Sequence, residues 1–263
     1  VNVSDAATIA ANEDIKAATV TIGEGTSGAL NLATTKTITG NVVLDNGSTL
    51  TLNDSSAVTG TILGEADGEG TLAIAASSTV TAQDAIGSAS NSLAAVNLAS
   101  GSSLTLGNNV LDATTTSLSS DSTLTVGTGS VTGTIQGASD GVGTTAFTAA
   151  NTLAGNVGTS ANSLAVIALG ATADVTTGAF NLDATDITLT SGAILSVGSG
   201  SVTGAVDGAT ANAGTVNLTE NNTIAAGTTL GSTNGLLAVN VSDAATIAAN
   251  EDIKAATVTI GEG

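Results

Sequence analysis

The chain has 263 residues, a formal net charge of −19 from 22 acidic against three basic residues, and no Pro, Cys, Met, Trp, Tyr or His. Its cations are Lys16, Lys36 and Lys254 alone, so it lacks the basic patches that phosphate backbones and anionic membranes require, and nucleic acid is not expected as a partner. No run approaches the roughly 18 apolar residues of a membrane span and no charged leader precedes an apolar stretch, so neither membrane insertion nor a signal peptide is expected within this segment.

Disorder is the first alternative, because Gly, Ser, Thr, Asn and Asp abound. Against it, Leu, Ile, Val and Phe make up roughly a quarter of the residues while charged residues are only 10%, enough apolar surface for collapse. Phe147 and Phe180 are the only aromatics. The core must therefore be narrow and aliphatic, since large aromatic side chains are what usually fill wide ones.

The chain opens on VNVSDAATIAANEDIKAATVTIGEG, residues 1–25, and the same 25 letters return at residues 239–263. Residues 1–238 thus read as one full period of a tandem repeat, and residues 239–263 as the start of the next. The motif V/I-T-G-x-V/I follows at Ile38–Val42 and again at Val58–Ile62, Val131–Ile135 and Val202–Val206. The close spacing of the first two copies, from Ile38 to Val58, is the signature of one added coil in a stacked repeat. Alternation of apolar and polar residues marks strands at STLTLND (Leu50, Leu52), TLAIAA (Leu72, Ile74), SSLTLG (Leu104, Leu106) and STLTVG (Leu124, Val126), each bounded by turn-forming residues. No sustained helical stripe occurs, and the Thr, Val and Gly content disfavours helix interiors.

A shorter repeat lies inside the long one. The 47 residues from Asn91 align without gaps on those from Asn162 with 22 identities, and a third copy starts at Asn234. The module starts at Asn91, Asn162 and Asn234 are almost evenly spaced, and the module from Asn234 to the next copy of Asn91 would be about 20 residues longer, the length of the added coil. Tandem β-sandwiches also use short strands at regular intervals, but they lean on aromatic anchors, and an insertion of one coil's length would disturb them. An all-β, parallel β-helix or β-solenoid with coils of about 18–22 residues accepts both facts, because each coil touches only its neighbours. The usual handedness of parallel crossovers gives the expectation of right-handed winding. About 12 coils per period, at ~4.8 Å each, would make a rod segment of about 58 Å.

Acidic, aromatic-poor stretches rich in Ser, Thr, Gly and Asn, such as GSTLTLNDSSAVTGTI at residues 47–62, resemble the passenger regions of autotransporters and other large repetitive bacterial surface proteins. The resemblance implies a parallel β-helix at the cell surface or outside the cell, serving in adhesion or in extracellular fibres. It carries over no site residues.

Chemical sites are sparse. In the loop GEADGEG, Glu65, Asp67 and Glu69 alternate as in the first half of an EF-hand loop, but the position that should supply a bidentate acid is Ala76. The equivalent loops GASDGVG from Gly137 and GATANAG from Gly208 keep their glycines and lose carboxylates. Glu65, Asp67 and Glu69 are therefore only a weak metal candidate, for calcium bound loosely at acidic loops, and a solvated turn is the plainer reading. No residue set suggests a catalytic centre, and no enzyme activity or cofactor is expected. Thr-x-Thr motifs start at Thr19, Thr49, Thr79 and Thr123, a spacing wider than one coil that does not suggest a ladder on consecutive coils. Glycosylation sequons fall at Asn2, Asn46, Asn53, Asn217, Asn221 and Asn240.

The sequence thus predicts a structural component of an extracellular bacterial fibre. Its expected partners are end-to-end copies of its own repeat, covalent or non-covalent, then neighbouring fibres and host or abiotic surfaces. The alternative is the stalk or ligand-binding region of a large cell-surface adhesin.

Overall fold

The computed structural model describes residues 1–4, 6–25, 27–220, 222–224, 227–243, 245, 247–249 and 252–261. Among them are 28 strands and no helix, and every strand pair is parallel. The chain is a β-solenoid of about 12 turns. The shortest sequence steps between register partners on successive coils occur at pairs such as Asp186 and Ala205, and the longest at pairs such as Ile86 and Leu111. The longest coils thus exceed the length expected from the sequence, because loops at the corners absorb the difference without disturbing the strands.

Each coil has three faces, and each face contributes a column of inward side chains one coil apart. The first face stacks Leu104, Leu124, Thr145, Ile167, Ile187 and Val206. The second stacks Val20, Val42, Ile62, Ile86, Leu111 and Val131. The third stacks Leu30, Leu50, Leu72, Val96, Thr116 and Ile135. Strand alternation turns every second residue inward, so these columns fuse into one narrow aliphatic core in which Phe147 is also buried. Thr145 is an exception to its apolar character, since its buried Oγ1 has no hydrogen-bond partner.

The V/I-T-G motif turns a corner without ending its strand. In Val131–Gly137, Gly133 stands alone opposite two residues, Ala113 and Thr114, so the ladder carries a bulge there and the strand bends onto the next face. Gly133 has φ +92°, and a Cβ on it would overlap the Ala113 carbonyl oxygen. The same bulge recurs where Gly40 faces Ala17 and where Gly204 faces Ala184. At the fourth copy the strand instead breaks into Ala57–Val58 and Ile62–Gly64.

The modules do not repeat on one face. Val96 lies on the third face and its counterpart Ile167 on the first; Leu111 lies on the second and its counterpart Leu182 on the third. One module is therefore three coils and a third of another, and three modules make about ten coils before the faces coincide again. The additional motif copy adds one whole coil without rotation, with Ile38 directly against Val58 and Val42 against Ile62.

Counting along the second face gives eleven coils between the identical segments. The register runs Val20, Val42, Ile62, Ile86, Leu111 and Val131, and then from Thr132 to Ala154. It continues from Thr152 to Thr176, Ser196, Asn217, Asn240 and Thr259. At ~4.8 Å per coil the 238-residue interval is about 53 Å long, one coil shorter than expected.

Candidate functional site

The acidic loop joins Ile62–Gly64 to Thr71–Ile74, and its shape is set by backbone requirements. Gly68 and Gly70 have φ +75° and +72°, a region that L side chains avoid. The Gly68 amide donates to the Ser92 carbonyl at 3.1 Å, and the Gly64 amide to the Asn91 carbonyl at 3.2 Å, both one coil onward. The loop is thereby fastened to the start of the next module.

Glu65, Asp67 and Glu69 share this turn, and the side chains of Asp67 and Glu69 accept from different groups. Asp67 Oδ1 accepts the Ser92 hydroxyl at 2.5 Å, and that hydroxyl also accepts the Gly68 amide at 3.0 Å. Glu69 Oε2 accepts the Ala66 amide at 3.1 Å, closing its own turn. Asn91 Nδ2 donates to the carbonyls of Gly64 and Glu65 at 3.1 and 2.9 Å. Among the described residues, no group of three or more carboxylate, His or Cys side chains is arranged to hold a metal ion.

The second loop repeats this arrangement. Asp140 Oδ1 accepts the Ser163 hydroxyl at 2.6 Å, and that hydroxyl accepts the Gly141 amide at 3.0 Å. In the third loop Ala211 replaces the acid and Gly235 replaces the serine, yet the Asn212 amide still donates to the Gly235 carbonyl at 2.7 Å. Acid and serine are present together or absent together. That joint change between internal copies is the signal in the sequence for Ser92 and Ser163, which no local motif reveals because 25 and 23 residues separate the partners.

A further carboxylate stands near each stapled loop. Burial, reinforced by Asp67, raises the pKa of Asp112 above the ordinary carboxylate range. Burial, reinforced by Asp140, does the same for Asp183. Asp140 is shifted the other way, chiefly by the Ser163 hydroxyl. The third module carries Lys254 at the corresponding position.

Beside the first loop, Glu24, Asp45, Glu65 and Glu69 line an open groove spanning three coils. Its carboxylates also serve the backbone: Asp45 accepts the Gly25 amide, and the Asn46 amide at 2.6 Å. These contacts position loops, and none of them makes a nucleophile or an acid–base pair.

Two other surface features depart from what the sequence suggests. Thr79–Thr81, Ser103–Thr105 and Thr123–Val126 stack in register, so Thr81, Thr105 and Thr125 form an outward row on consecutive coils. Ser103 fills the interval that hides this row in the sequence. Of the sequon asparagines, Asn53 Nδ2 donates to Asn31 Oδ1 at 2.5 Å and Asn240 Nδ2 to Asn217 Oδ1 at 2.9 Å. Both are rungs between coils. Asn221 lies outside the described residues.

Comparison of the chain with protein-family models, with curated proteins and with solved structures finds no match. The functional reading therefore rests on the molecule's own geometry.

Proposed function

We propose that this chain is a structural segment of an extracellular bacterial filament built from tandem β-solenoid repeats, its role mechanical and non-catalytic. One observation carries the reading: the 238-residue interval spans a whole number of coils, so Thr259 lies on the same face as its counterpart Thr21. A period that closes on itself in this way can be repeated indefinitely without a change of register. The compositional likeness to repetitive bacterial surface proteins supports the cellular setting.

Burial in the two identical segments supports the same reading. Val20 and Ile22 are 0% exposed, whereas their copies Val258 and Ile260 are 48% and 71% exposed. Conversely, Val1 is 61% exposed and its copy Val239 is 0%. Each of these residues is buried in one copy and open in the other, so the same letters can serve as core when a coil stacks against them.

Residues 1–238 hold 18 acids against two lysines, a charge that would keep neighbouring rods apart at moderate salt. Divalent cations bridging carboxylates would draw them together. An interfibre spacing that ignores both calcium and chelator would rule out such bridging. The filament itself is tested by cryo-electron microscopy of native material. Unbranched fibres with an axial repeat of about 53 Å are expected. Compact isolated particles would overturn the reading. If the rod instead serves as an adhesin stalk, loss of one terminal segment would abolish attachment while leaving the axial repeat intact.

A further inference from the structure

Of the described sequon asparagines, Asn46 alone has a side-chain amide without a partner. Asn2 Nδ2 donates to Glu24 Oε1 at 2.5 Å, Asn53 Nδ2 to Asn31 Oδ1, Asn217 Nδ2 to Ser196 Oγ at 3.3 Å and Asn240 Nδ2 to Asn217 Oδ1. Asn46 is exposed, in the turn between Thr37–Leu44 and Thr49–Leu52, and is followed by Gly47. The Ser48 amide closes this turn by donating to the Asp45 carbonyl at 2.9 Å. Gly47 has φ +73°, and neither its amide nor its carbonyl is bonded to another coil.

A second Asn-Gly pair, Asn234–Gly235, is held differently. The Asn234 carbonyl accepts the Gly208 amide at 3.0 Å, and the Gly235 carbonyl accepts the Asn212 amide at 2.7 Å. These bonds pin the backbone on both sides of the Gly235 amide. Cyclisation of asparagine needs the next residue's nitrogen to reach the side-chain carbonyl carbon. Glycine leaves that nitrogen unshielded, and an exposed turn tip opens more readily than a pinned peptide.

We propose that Asn46 is a site of spontaneous deamidation, and that the fold leaves the reaction open there while restraining it at Asn234. The Gly47 nitrogen loses its proton to solvent and bonds to Asn46 Cγ; the Cγ–Nδ2 bond breaks, and Nδ2 leaves as ammonia after taking a proton back from solvent. Water then opens the succinimide at either carbonyl, giving aspartate or isoaspartate. Two effects slow the step. The Ser48 bond must open for the peptide to rotate, and Glu24, Asp45, Glu65 and Glu69 in the adjoining groove disfavour a negatively charged intermediate.

The products alter this corner. Aspartate adds a carboxylate to the 18 acids of residues 1–238, next to Asp45, whose Oδ1 accepts the Asn46 amide at 2.6 Å. Isoaspartate lengthens the main chain by a methylene just before Ser48, which is buried and whose hydroxyl accepts the Gly28 amide at 3.1 Å. The surface thus gains charge, and the turn loses its fit, as the protein ages. The site needs no filament, so its failure would leave the filament reading untouched.

The test incubates the full folded chain and a guanidinium-denatured sample at mildly alkaline pH, followed by peptic digestion and mass spectrometry that separates aspartate from isoaspartate. In the denatured sample the two Asn-Gly pairs should convert at similar rates. In the folded chain Asn46 should convert about tenfold faster than Asn234, or more. Gly47→Ala should suppress conversion at Asn46 and leave Asn234 unchanged. An added Cβ would meet only Ser27, at 3.4 Å, so this variant still folds. An Asn46 that keeps its amide in the folded chain would overturn the proposal. So would an Asn234 that keeps pace with it, or unchanged conversion in Gly47→Ala.

Discussion

The acidic loop and its third counterpart close the same way with different side chains. Residues 64–70 are fastened by Asp67 and Ser92 in addition to their glycines, whereas residues 208–214 have Ala211 and Gly235 at those places. Both keep the backbone bond into the next module, from Gly68 to Ser92 and from Asn212 to Gly235. Loop shape therefore comes from backbone conformation, and the carboxylate adds a staple to a loop already formed. Two of the loop's three acids, Asp67 and Glu69, are thus engaged by the chain's own donors.

The largest effect should come from breaking what the loops share. Gly70, Gly143 and Gly214 have φ of +72°, +79° and +72°, and a Cβ on each would overlap the Cβ of Leu44, Leu118 and Leu189 respectively. Substitution by Ala combines unfavourable backbone with forced displacement of a core leucine, about 3 kcal/mol or more at each site. Gly178 has φ +56° but nothing within 4 Å of its would-be Cβ. Gly178→Ala should cost about 1 kcal/mol, the backbone cost alone. Denaturant midpoints of the four variants would test this, and equal losses at Gly178 and Gly214 would show that the leucine contact is unimportant.

A smaller effect follows from moving the staple. Ser92→Ala removes the hydroxyl that bridges Asp67 and the Gly68 amide, at about 1 kcal/mol. Ala211→Asp with Gly235→Ser should build a staple in the third loop. Gly235 has no positive φ, and the nearest atom to its would-be Cβ is the Lys254 carbonyl oxygen at 3.5 Å, so a serine fits. A gain of about 0.5–1 kcal/mol is expected for the pair, with Ala211→Asp alone giving none. Additive single effects in this double-mutant cycle would mean that acid and serine do not act as a unit.

Much of the architecture is legible in the sequence because a solenoid writes its period into the chain. The alternation at Leu50 and Leu52 or Leu124 and Val126 forms strands, and the V/I-T-G motif forms three bulged corners and one break. What stays hidden is set by neighbours on other coils. The module length says nothing of its extra third of a turn until Val96 and Ile167 are found on different faces. The Ser92 partner of Asp67 lies 25 residues away, beyond any local motif. Thr145 follows Thr144 with nothing in the sequence to separate them, and only the stacking with Leu124 and Ile167 places it in the core.

The smallest effect concerns charge and separates the stapled modules from the third. Asp112 and Asp183 have pKa values raised by burial and by Asp67 and Asp140. A carboxyl whose folded pKa exceeds its unfolded one binds its proton more tightly when folded, so it favours folding as pH falls and opposes it at neutral pH. Both groups are largely solvated, so screening limits each penalty to a few tenths of a kcal/mol. Asp112→Asn and Asp183→Asn should each raise the neutral-pH midpoint slightly and leave stability near pH 3 unchanged, because the native carboxyl is then mostly protonated in both states. Asp140, lowered chiefly by the Ser163 hydroxyl, works in the opposite sense, since its contribution is present above the ordinary carboxylate range and is lost on acidification. The pH-dependent difference from wild type should therefore be larger for Asp112→Asn than for Asp140→Asn/Asp183→Asn, where two opposite shifts partly cancel. Equal differences would mean that the staple leaves the ionisation of its own carboxylate unaltered.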